Sequence, residues 1–193
     1  MSHYFDVDPS VPERRSWTEF TVWGRTKAYE TSTGVFSGGH LDKATRLLLE
    51  RSEPPPAGSV VLDLGCGWGP IACSLAAAGS TVWAIDVNPR ALELTAKNAG
   101  DLPVEAVLPE DVPDEVMFDA IWSNPPIRAG KQVLHELMLT WLPRLKPTGE
   151  ARLVVGKNLG ADSLHRWLQE QGYEVERTAS SKGFRVLTVR PQS

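Results

Sequence analysis

Three glycines alternate with other residues in the segment VLDLGCGWGP, at positions 61–70, at the end of an apolar run. Because Gly65, Gly67 and Gly69 carry no Cβ, the backbone of such a turn can approach a ligand closely. A dinucleotide fingerprint has the spacing G-x-G-x-x-G, whereas this turn has G-x-G-x-G and an acid, Asp63, before the first glycine. A carboxylate serves a pyrophosphate poorly, but it suits a ligand with an amino group and a sulfonium. The turn therefore predicts a ligand of the second kind, and the alternative is a tight packing turn without a ligand.

A second acid, Asp86, ends the apolar run TVWAID at positions 81–86. An acid that follows a glycine turn by ~20 residues can accept hydrogen bonds from both hydroxyls of an adenosine ribose. The alternative is that Asp86 only caps the next helix, but Asn88 is better placed for capping. We therefore expect Asp86 in the same site as the glycine turn.

The segment SNPPI, at positions 123–127, follows another apolar run. Two consecutive prolines fix the backbone and remove two N–H donors, which leaves carbonyl groups that only accept hydrogen bonds. With the amide oxygen of Asn124, the carbonyl of Pro125 would form a rigid pair of acceptors for the two hydrogens of a planar NH2 group. A nitrogen held in this way would aim its lone pair at a sulfonium methyl, and positioning would matter more than a strong base. The alternative is a loop in which Pro125 and Pro126 only end a strand.

Strands and helices alternate around these motifs from residue 59 onward. Continuous apolar runs predict buried strands, and apolar residues at helical spacing predict the helices between them. The predicted strands are 59–64, 81–86, 103–108, 117–123, 151–156, 173–180 and 183–189, and the predicted helices are 70–79, 88–100, 131–145 and 161–172. This alternation predicts an α/β protein with a Rossmann-like, doubly wound, mostly parallel seven-stranded sheet that has one antiparallel strand near the C-terminus.

Residues 1–57 are expected to form an extension packed on a Rossmann-like domain of residues 58–193, so that the chain is one structural unit. Within the extension, alternating apolar and polar residues at 18–24 and 26–32 predict a short β hairpin. Apolar residues at helical spacing predict a helix over 41–52, which three consecutive prolines then end.

The composition is that of a globular domain, because 41% of the 193 residues are hydrophobic and 23% are charged. No apolar run approaches the ~18–20 residues that span a bilayer, and no hydrophobic signal core opens the chain. The two cysteines, Cys66 and Cys73, predict no disulfide framework, and the four histidines show no paired ligand spacing. We therefore expect a cytoplasmic protein with no metal and no membrane contact, in which Cys66 is a packing residue and not a nucleophile.

Charge is distributed unevenly although the net charge is only −4. Residues 54–122 hold 2 basic and 10 acidic side chains, whereas residues 123–193 hold 11 and 6. The basic last third could attract a polyanion, and the alternative is ordinary surface charge. The candidate phosphate contacts follow strands or border the SNPPI segment, and they are Arg128, Lys131, Lys157, Lys182 and Arg185.

Together, Asp63, the alternating glycines and Asp86 resemble the S-adenosylmethionine site of the Rossmann-like (class I) methyltransferases. The SNPPI segment resembles the Asn-Pro-Pro signature of methyltransferases that act on DNA adenine, RNA guanine or protein glutamine. A wider resemblance, over residues 19–190, is to the C-type family of small-subunit (16S) ribosomal RNA guanine-N2 methyltransferases. It is carried by the stretch TSTGVFSGGHLDKATRLLLE and by the stretch that runs from SNPPIRAGKQV to GKNLGADSL.

This resemblance implies S-adenosyl-L-methionine as the cofactor, and ribosomal RNA or the small ribosomal subunit as the partner. It implies that the residues that act on the target amine are Asn124, Pro125, Pro126 and Ile127. The cofactor contacts that it implies are Phe36, Asp63, Gly65, Cys66, Gly67, Gly69, Asp86, Val87, Leu108 and Asn124.

Two features depart from the family pattern. Ile127 stands where many members that act on bases have an aromatic residue, and the duplicate N-terminal half of the longer enzymes is expected to be absent. A protein glutamine amide or a small amine is therefore kept as an alternative substrate. A non-catalytic cofactor-binding module of an RNA-modifying assembly is the alternative to an enzyme, and the intact Asn124-Pro125-Pro126 argues against it. These patterns leave the oligomeric state open.

Overall fold

The computed structural model describes residues 12–193, and the first residues of the predicted extension lie outside that range. The strands are β1 (Arg15–Val22), β2 (Arg25–Ser32), β3 (Val60–Leu64), β4 (Thr81–Ile85), β5 (Val104–Val107), β6 (Phe118–Ser123), β7 (Leu145–Gly156), β8 (Tyr173–Ser181) and β9 (Phe184–Pro191). The α-helices are α1 (Lys43–Glu50), α2 (Pro70–Ala77), α3 (Pro89–Ala99), α4 (Lys131–Trp141) and α5 (Ala161–Glu170).

Seven strands form one sheet in the order β5-β4-β3-β6-β7-β9-β8. The neighbours from β5 to β7 are parallel, and β9 runs antiparallel to both β7 and β8. Helices cover both faces, which is why the central strand β3 is apolar apart from Asp63, with Val61 and Leu62 fully buried. The predicted Rossmann-like sheet with one antiparallel strand near the C-terminus is confirmed.

The direction of strand addition reverses between β3 and β6. These two strands are parallel neighbours in which Leu64 pairs with Ser123, and the Ser123 hydroxyl donates to the carbonyl of Leu64 at 2.7 Å. The glycine turn and the SNPPI segment therefore leave the sheet side by side at its carboxyl edge. Such a reversal point is where open α/β sheets bind ligands.

The hydrophobic core lies in two clusters, one on each face of the sheet. On one face, the β1–β2 hairpin joins α1, α2 and α3 in a single cluster. Its aromatic centre is the stack of Phe20 on Tyr29, with ring centroids 4.8 Å apart, and Tyr29 is also 5.4 Å from the ring of Trp68 after β3. On the other face, α4 and α5 cover the sheet. The hairpin and α1, both predicted for the extension, thus pack directly on the main sheet.

Most element boundaries differ from the sequence prediction by a few residues, and two differ more than the others. β7 begins at Leu145 and not at residue 151, because Leu145 already pairs with Phe118 before the register shifts toward Glu150. A glycine permits this close crossing, since a Cβ at Gly149 would lie 2.9 Å from the carbonyl of Asp119. α4 ends at Trp141 and not at residue 145, because the proline-containing segment Leu142–Arg144 tightens into a 3₁₀ turn.

Within residues 12–193, no helix is long and apolar enough to cross a membrane.

Candidate active site

A cavity of about 690 Å³ opens at the carboxyl ends of β3 and β6. This volume is in the range of small-molecule binding sites. Its wall combines the glycine turn, the loop after β6, the loop before α1 and the adjoining ends of β7 and β9. The predicted site residues that line it are Phe36, Gly65, Gly67, Asp86, Asn124, Pro125, Pro126, Ile127 and Arg128.

The glycine turn exposes backbone to this cavity. The N–H groups of Gly65 and Cys66 both donate to the carbonyl of Ile85 at 2.9 Å, which ties the turn to β4. Gly65 and Gly67 have φ values of +80° and +57°, in the left-handed region that favours glycine. A Cβ added at either glycine would meet no atom within 4 Å. The space beside both residues is therefore open for a ligand to contact the backbone.

The carboxylate of Asp86 links the turn to the start of α3. Its Oδ2 accepts a hydrogen bond from the N–H of Gly67 at 3.0 Å, and its Oδ1 accepts one from the N–H of Asn88 at 2.9 Å. Burial raises the pKa of Asp86, while backbone hydrogen bonds oppose that rise. The helix cap is Asn88, whose side chain accepts from the N–H of Arg90 at 3.0 Å. Asp86 lines the cavity, so its remaining lone pairs can accept hydrogen bonds from a ligand.

Asp63 does not line the cavity, although it was expected to face an amino group of the ligand. Its Oδ2 accepts from the N–H of Ala72 in the first turn of α2 at 2.9 Å, and its buried Oδ1 has no partner among residues 12–193. Burial, assisted by the negative charge of Asp86, raises the pKa of Asp63 to about 8 against the effect of the Ala72 hydrogen bond. This shift favours the protonated form of the acid in the folded protein.

The other predicted cofactor contacts form two groups: Gly69 and Cys66 are packed inside the protein, and Val87 and Leu108 are half-buried outside the cavity wall. Gly69 is a packing glycine, because a Cβ there would lie 3.0 Å from Oγ1 of Thr95. Cys66 is buried beside a small side pocket, and burial raises the pKa of its thiol well above the usual value, which is consistent with a packing residue. Val87 and Leu108 are half-buried and lie outside the cavity wall.

Two side chains from the start of α1 hold the amide of Asn124. Its Nδ2 donates to Oδ2 of Asp42 at 3.0 Å and to Oγ1 of Thr45 at 3.1 Å. Among residues 12–193, no donor forms a hydrogen bond with its Oδ1. Because Asn124 lines the cavity and its nitrogen is engaged, the amide oxygen is the acceptor that it can offer to a ligand.

The two prolines after Asn124 form a tight turn. The carbonyl of Pro125 accepts from the N–H of Ile127 at 2.8 Å, and the carbonyl of Pro126 accepts from the N–H of Ala129 at 3.0 Å. Pro126 has φ −74° and ψ 74°, the values of an inverse γ-turn. A carbonyl oxygen has two lone pairs, so Pro125 keeps one for a further donor. This stretch of wall offers acceptors and no free backbone donor.

Of the predicted phosphate contacts, one lines the cavity and two are close in sequence to residues of its wall. Arg128 is exposed and lines it. Lys157 is exposed immediately after β7, and Lys182 is exposed in the β8–β9 turn, close in sequence to Phe184 of the cavity wall. The N–H of Lys157 donates to the carbonyl of Gly183 at 2.6 Å, which brings these two turns together.

The remaining two phosphate candidates lie elsewhere. Lys131 begins α4 and lines a separate open groove together with His135 and Trp167. Arg185 is buried, and its guanidinium forms an ion pair with Asp162 at the start of α5. This placement argues against Arg185 as a phosphate contact, because a buried guanidinium with an internal ion pair is poorly accessible to a surface polyanion.

Sequence reasoning missed several residues of the cavity wall, among them Asp42, Asn88 and Phe184. In the sequence, Asp42 lies at the start of the helix predicted over 41–52, and in the structure it is the N-cap of α1. Its contact with Asn124 spans 82 positions and leaves no sequence signal. No group of His, Cys, Asp or Glu residues large enough to hold a metal ion occurs in residues 12–193.

The strand order, with the glycine turn and Asp86 at the reversal point, defines the Rossmann-like methyltransferase fold. A family model described as "Methyltransferase small domain" matches residues 28–188, and the chain belongs to this family. The resemblance to methyltransferases found in the sequence is thereby confirmed.

Two relatives and one solved structure show how far the similarity extends. "Uncharacterized protein YbxB" of Bacillus subtilis is 35% identical over 97% of this chain and 98% of its own length. "Ribosomal RNA small subunit methyltransferase C" of Chromohalobacter salexigens is 35% identical over 89% of this chain and 53% of its own length. The T. thermophilus 16S rRNA N2 G1207 methyltransferase (RsmC), solved in complex with AdoMet and guanosine, has a TM-score of 0.80 at 25% identity and is covered over 52% of its length. The chain thus spans about half the length of these methyltransferase C relatives.

Proposed function

We propose that this chain is an S-adenosylmethionine-dependent methyltransferase that acts on the exocyclic amine N2 of a guanine in small-subunit ribosomal RNA. The observation that carries the proposal is the orientation of the Asn124 amide. Its nitrogen donates hydrogen bonds to Asp42 and Thr45, so its oxygen is the atom that can accept a hydrogen bond from a substrate. Asn124 and the glycine turn line the same cavity, and the backbone of the turn is open to a ligand there.

The glycine side of the cavity fits the cofactor. Gly65 and Gly67 leave room for close backbone contact, and Asp86 is a carboxylate fixed by two N–H groups and open to hydroxyl donors. S-adenosylmethionine supplies an activated methyl group when it is bound. The relative solved with AdoMet shares this fold over 95% of the present chain, which supports the same cofactor here.

The acceptor side of the cavity fits a planar amine. Asn124 offers its amide oxygen, and Pro125 offers the second lone pair of its carbonyl, so two acceptors could bind the two hydrogens of an NH2 group. Neither proline can donate, and the N–H of Ile127 is already bonded within the turn. A target atom without hydrogens would therefore find no backbone donor at Pro125–Ile127. The residues act by orientation, which suits a reaction in which the methyl donor is already activated.

A guanine in ribosomal RNA is the substrate that the relatives favour. The name of the relative from Chromohalobacter salexigens gives small-subunit ribosomal RNA as its substrate, and the solved T. thermophilus relative contains bound guanosine. The exposed cations Arg128, Lys157 and Lys182 at or near the cavity rim are suitable for phosphates. We therefore expect RNA, or the small ribosomal subunit, as the partner.

A protein glutamine amide is the second candidate, and Ile127 is the residue that favours it. This residue is half-buried on the cavity wall and aliphatic, so it cannot stack on a base as an aromatic ring would. A glutamine amide also has a planar NH2 group that two acceptors can bind.

Transfer of tritium from labelled S-adenosylmethionine to total RNA and to total protein separates the two candidates. The proposal predicts label in small-subunit RNA with the wild-type chain and almost none with Asn124→Ala. The exposed amide of Gln132, on α4 and outside this cavity, gives a matched control, and Gln132→Ala should label RNA like the wild type. Label confined to protein would reject RNA as the substrate, and label in neither would reject the enzyme proposal for these substrates.

A further inference from the structure

Two residues at the N-terminus of α1 bind the same atom of the loop after β6, Nδ2 of Asn124. Oδ2 of Asp42 accepts hydrogen bonds from the N–H groups of Ala44 and Thr45, at 2.9 and 3.1 Å, as the cap of the helix. The same oxygen accepts from Nδ2 of Asn124 at 3.0 Å, and the hydroxyl of Thr45 accepts from that nitrogen at 3.1 Å. One helix cap therefore binds both its own helix and the amide of Asn124.

This arrangement decides which end of the amide faces a ligand. An asparagine side chain can turn over and exchange its oxygen and nitrogen positions with little change in shape. Turned over, Asn124 would place its oxygen against the carboxylate of Asp42, and its NH2 donors toward a target that also donates. The carboxylate of Asp42 opposes that exchange, because it can only accept hydrogen bonds, and the hydroxyl of Thr45 adds a second acceptor for the same nitrogen in the observed orientation.

Asp42 and Thr45, the two residues that hold the amide, belong to the start of a helix that is packed in the core, and Asp42 is tied to it by its capping hydrogen bonds. Thr45 is buried, and Leu48 and Leu49 on the same helix are almost fully buried in the core. Asn124, in contrast, is half-buried in a loop and has no regular element of its own to fix its side chain. The orientation of its amide must therefore come from α1.

We infer that Asp42 and Thr45 are positioning residues that keep the Asn124 oxygen directed at the target amine, an inference that rests on the proposed function. They act through Asn124, so they set the rate of methyl transfer and leave the affinity for S-adenosylmethionine unchanged. The segment before the Rossmann-like domain thereby contributes to the reaction, and not only to the core.

Of the two positioning residues, Thr45 is the simpler to test, because its side chain does not also cap α1. Thr45→Val keeps the shape and removes the acceptor, and we expect kcat for RNA methylation to fall about tenfold, the effect of one lost hydrogen bond. The KM for RNA and the Kd for S-adenosylmethionine should stay at wild-type values. Thr45→Ser restores a hydroxyl and should restore kcat. An unchanged kcat in Thr45→Val, or an equal loss in Thr45→Ser, would overturn the inference.

Asp42 needs a variant that separates the helix cap from the contact with Asn124. Asp42→Ser keeps a capping oxygen on a shorter side chain, whereas Asp42→Ala removes both functions. We expect the same loss of kcat in both, with a lower Tm only in Asp42→Ala. Arg46→Ala, which changes an exposed residue on the same helix, is the control with wild-type kcat. If kcat followed Tm across the three variants, Asp42 would be only a cap.

A readout without any substrate keeps this test separate from the proposed function. In protein labelled with ¹⁵N-asparagine, the side-chain amide signals of Asn124 are assigned by their loss in Asn124→Ala. We expect their hydrogens to exchange slowly with water in the wild type and faster in Thr45→Val. Fast exchange in the wild type would overturn the inference whatever the substrate. Protected hydrogens in a chain that methylates neither RNA nor protein would reject the proposed function and leave the orientation of the amide established.

Discussion

The two halves of the cavity are fixed by different kinds of contact. The glycine half, formed by the turn at Gly65–Gly69 with Asp86, is held by backbone N–H groups of the turn that donate to Ile85 and Asp86 at the end of the neighbouring strand β4. The acceptor half, formed by the loop Asn124–Ile127, depends on side chains of α1 that lie 79 and 82 positions away. Both halves leave the sheet from neighbouring strands, so their proximity comes from β3 and β6.

This difference separates binding from chemistry. The glycine half can recognise a cofactor with little help from side chains, since its contacts are mostly backbone. In the acceptor half, Pro125–Ile127 offer no free backbone N–H, and the side-chain amide of Asn124 is useful only in one orientation. We therefore expect changes in the first half to remove binding, and changes in the second to slow the reaction while binding persists.

The largest effect is expected from closing the open space in the glycine half. Gly67→Val places a branched side chain where a ligand would contact the backbone, and we expect no measurable S-adenosylmethionine binding by calorimetry. Gly100 is the matched control, because it has the same φ of +57° and equally open surroundings but lies outside the cavity. Gly100→Val should lose about 1–2 kcal/mol of stability and keep binding. Normal binding by a folded Gly67→Val protein would make the turn structural only.

In the acceptor half, Asn124→Ala removes the oriented oxygen. The rate of methyl transfer should fall by ~10²–10³, as for one preorganised hydrogen-bonding group, with little change in cofactor affinity. Single-turnover kinetics and calorimetry on the same preparation measure the two quantities. If affinity and rate fell together, Asn124 would belong to the cofactor half, and the comparison between the halves would fail.

Asp63, the buried acid that precedes the glycine turn, predicts that the stability of the fold depends on pH. The folded-state pKa of Asp63, about 8, is above its usual value of 3.8, so the folded state holds the proton more tightly than the unfolded chain. The stability that this group contributes is present below about pH 4 and is lost as the pH rises toward 8, with a slope of at most about 1.4 kcal/mol per pH unit.

Asp63→Asn removes that titration while keeping an oxygen for the N–H of Ala72. In urea unfolding, the stability of the variant relative to the wild type should therefore increase from pH 5 to pH 8. Asp114→Asn, a change at an exposed acid, supplies the reference for nonspecific charge effects. A difference that stays constant with pH would show that Asp63 is ionised in the folded protein across this range.

The smallest effect is expected at the cavity rim. Replacing Lys157 and Lys182 together with alanine should raise the apparent KM for RNA a few-fold and reduce its salt dependence, with kcat at saturating RNA unchanged. Arg166→Ala, an exposed cation on α5 outside the cavity wall, is the control. Activity that does not depend on salt, in the wild type as well, would favour a substrate without phosphates.

Much of this could be predicted from the sequence because the informative contacts are local. The glycine turn, Asp86 and SNPPI each follow an apolar strand, and parallel strands bring their carboxyl ends to one edge. The contact of Asp42 with Asn124 could not be predicted, since it depends on how α1 packs against the sheet. The burial of Arg185 was missed for the same reason, because its partner Asp162 is on another element.

The start of β7 was missed for a different reason. The segment KPTGE has the composition of a loop, and it joins the strand only because Leu145 pairs with Phe118 and Gly149 allows a close crossing. Composition describes what a segment prefers alone, and pairing with a neighbouring strand overrides it.

The most direct test of the account is the identity of the methylated atom. Small-subunit RNA is incubated with the wild-type chain and S-adenosylmethionine, digested to nucleosides and analysed by mass spectrometry, with Asn124→Ala treated in parallel. The account predicts N2-methylguanosine as the new product of the wild type, strongly reduced in the variant. A methyl group on a ring nitrogen or a ribose, or on a glutamine of a ribosomal protein with the RNA unmodified, would contradict it.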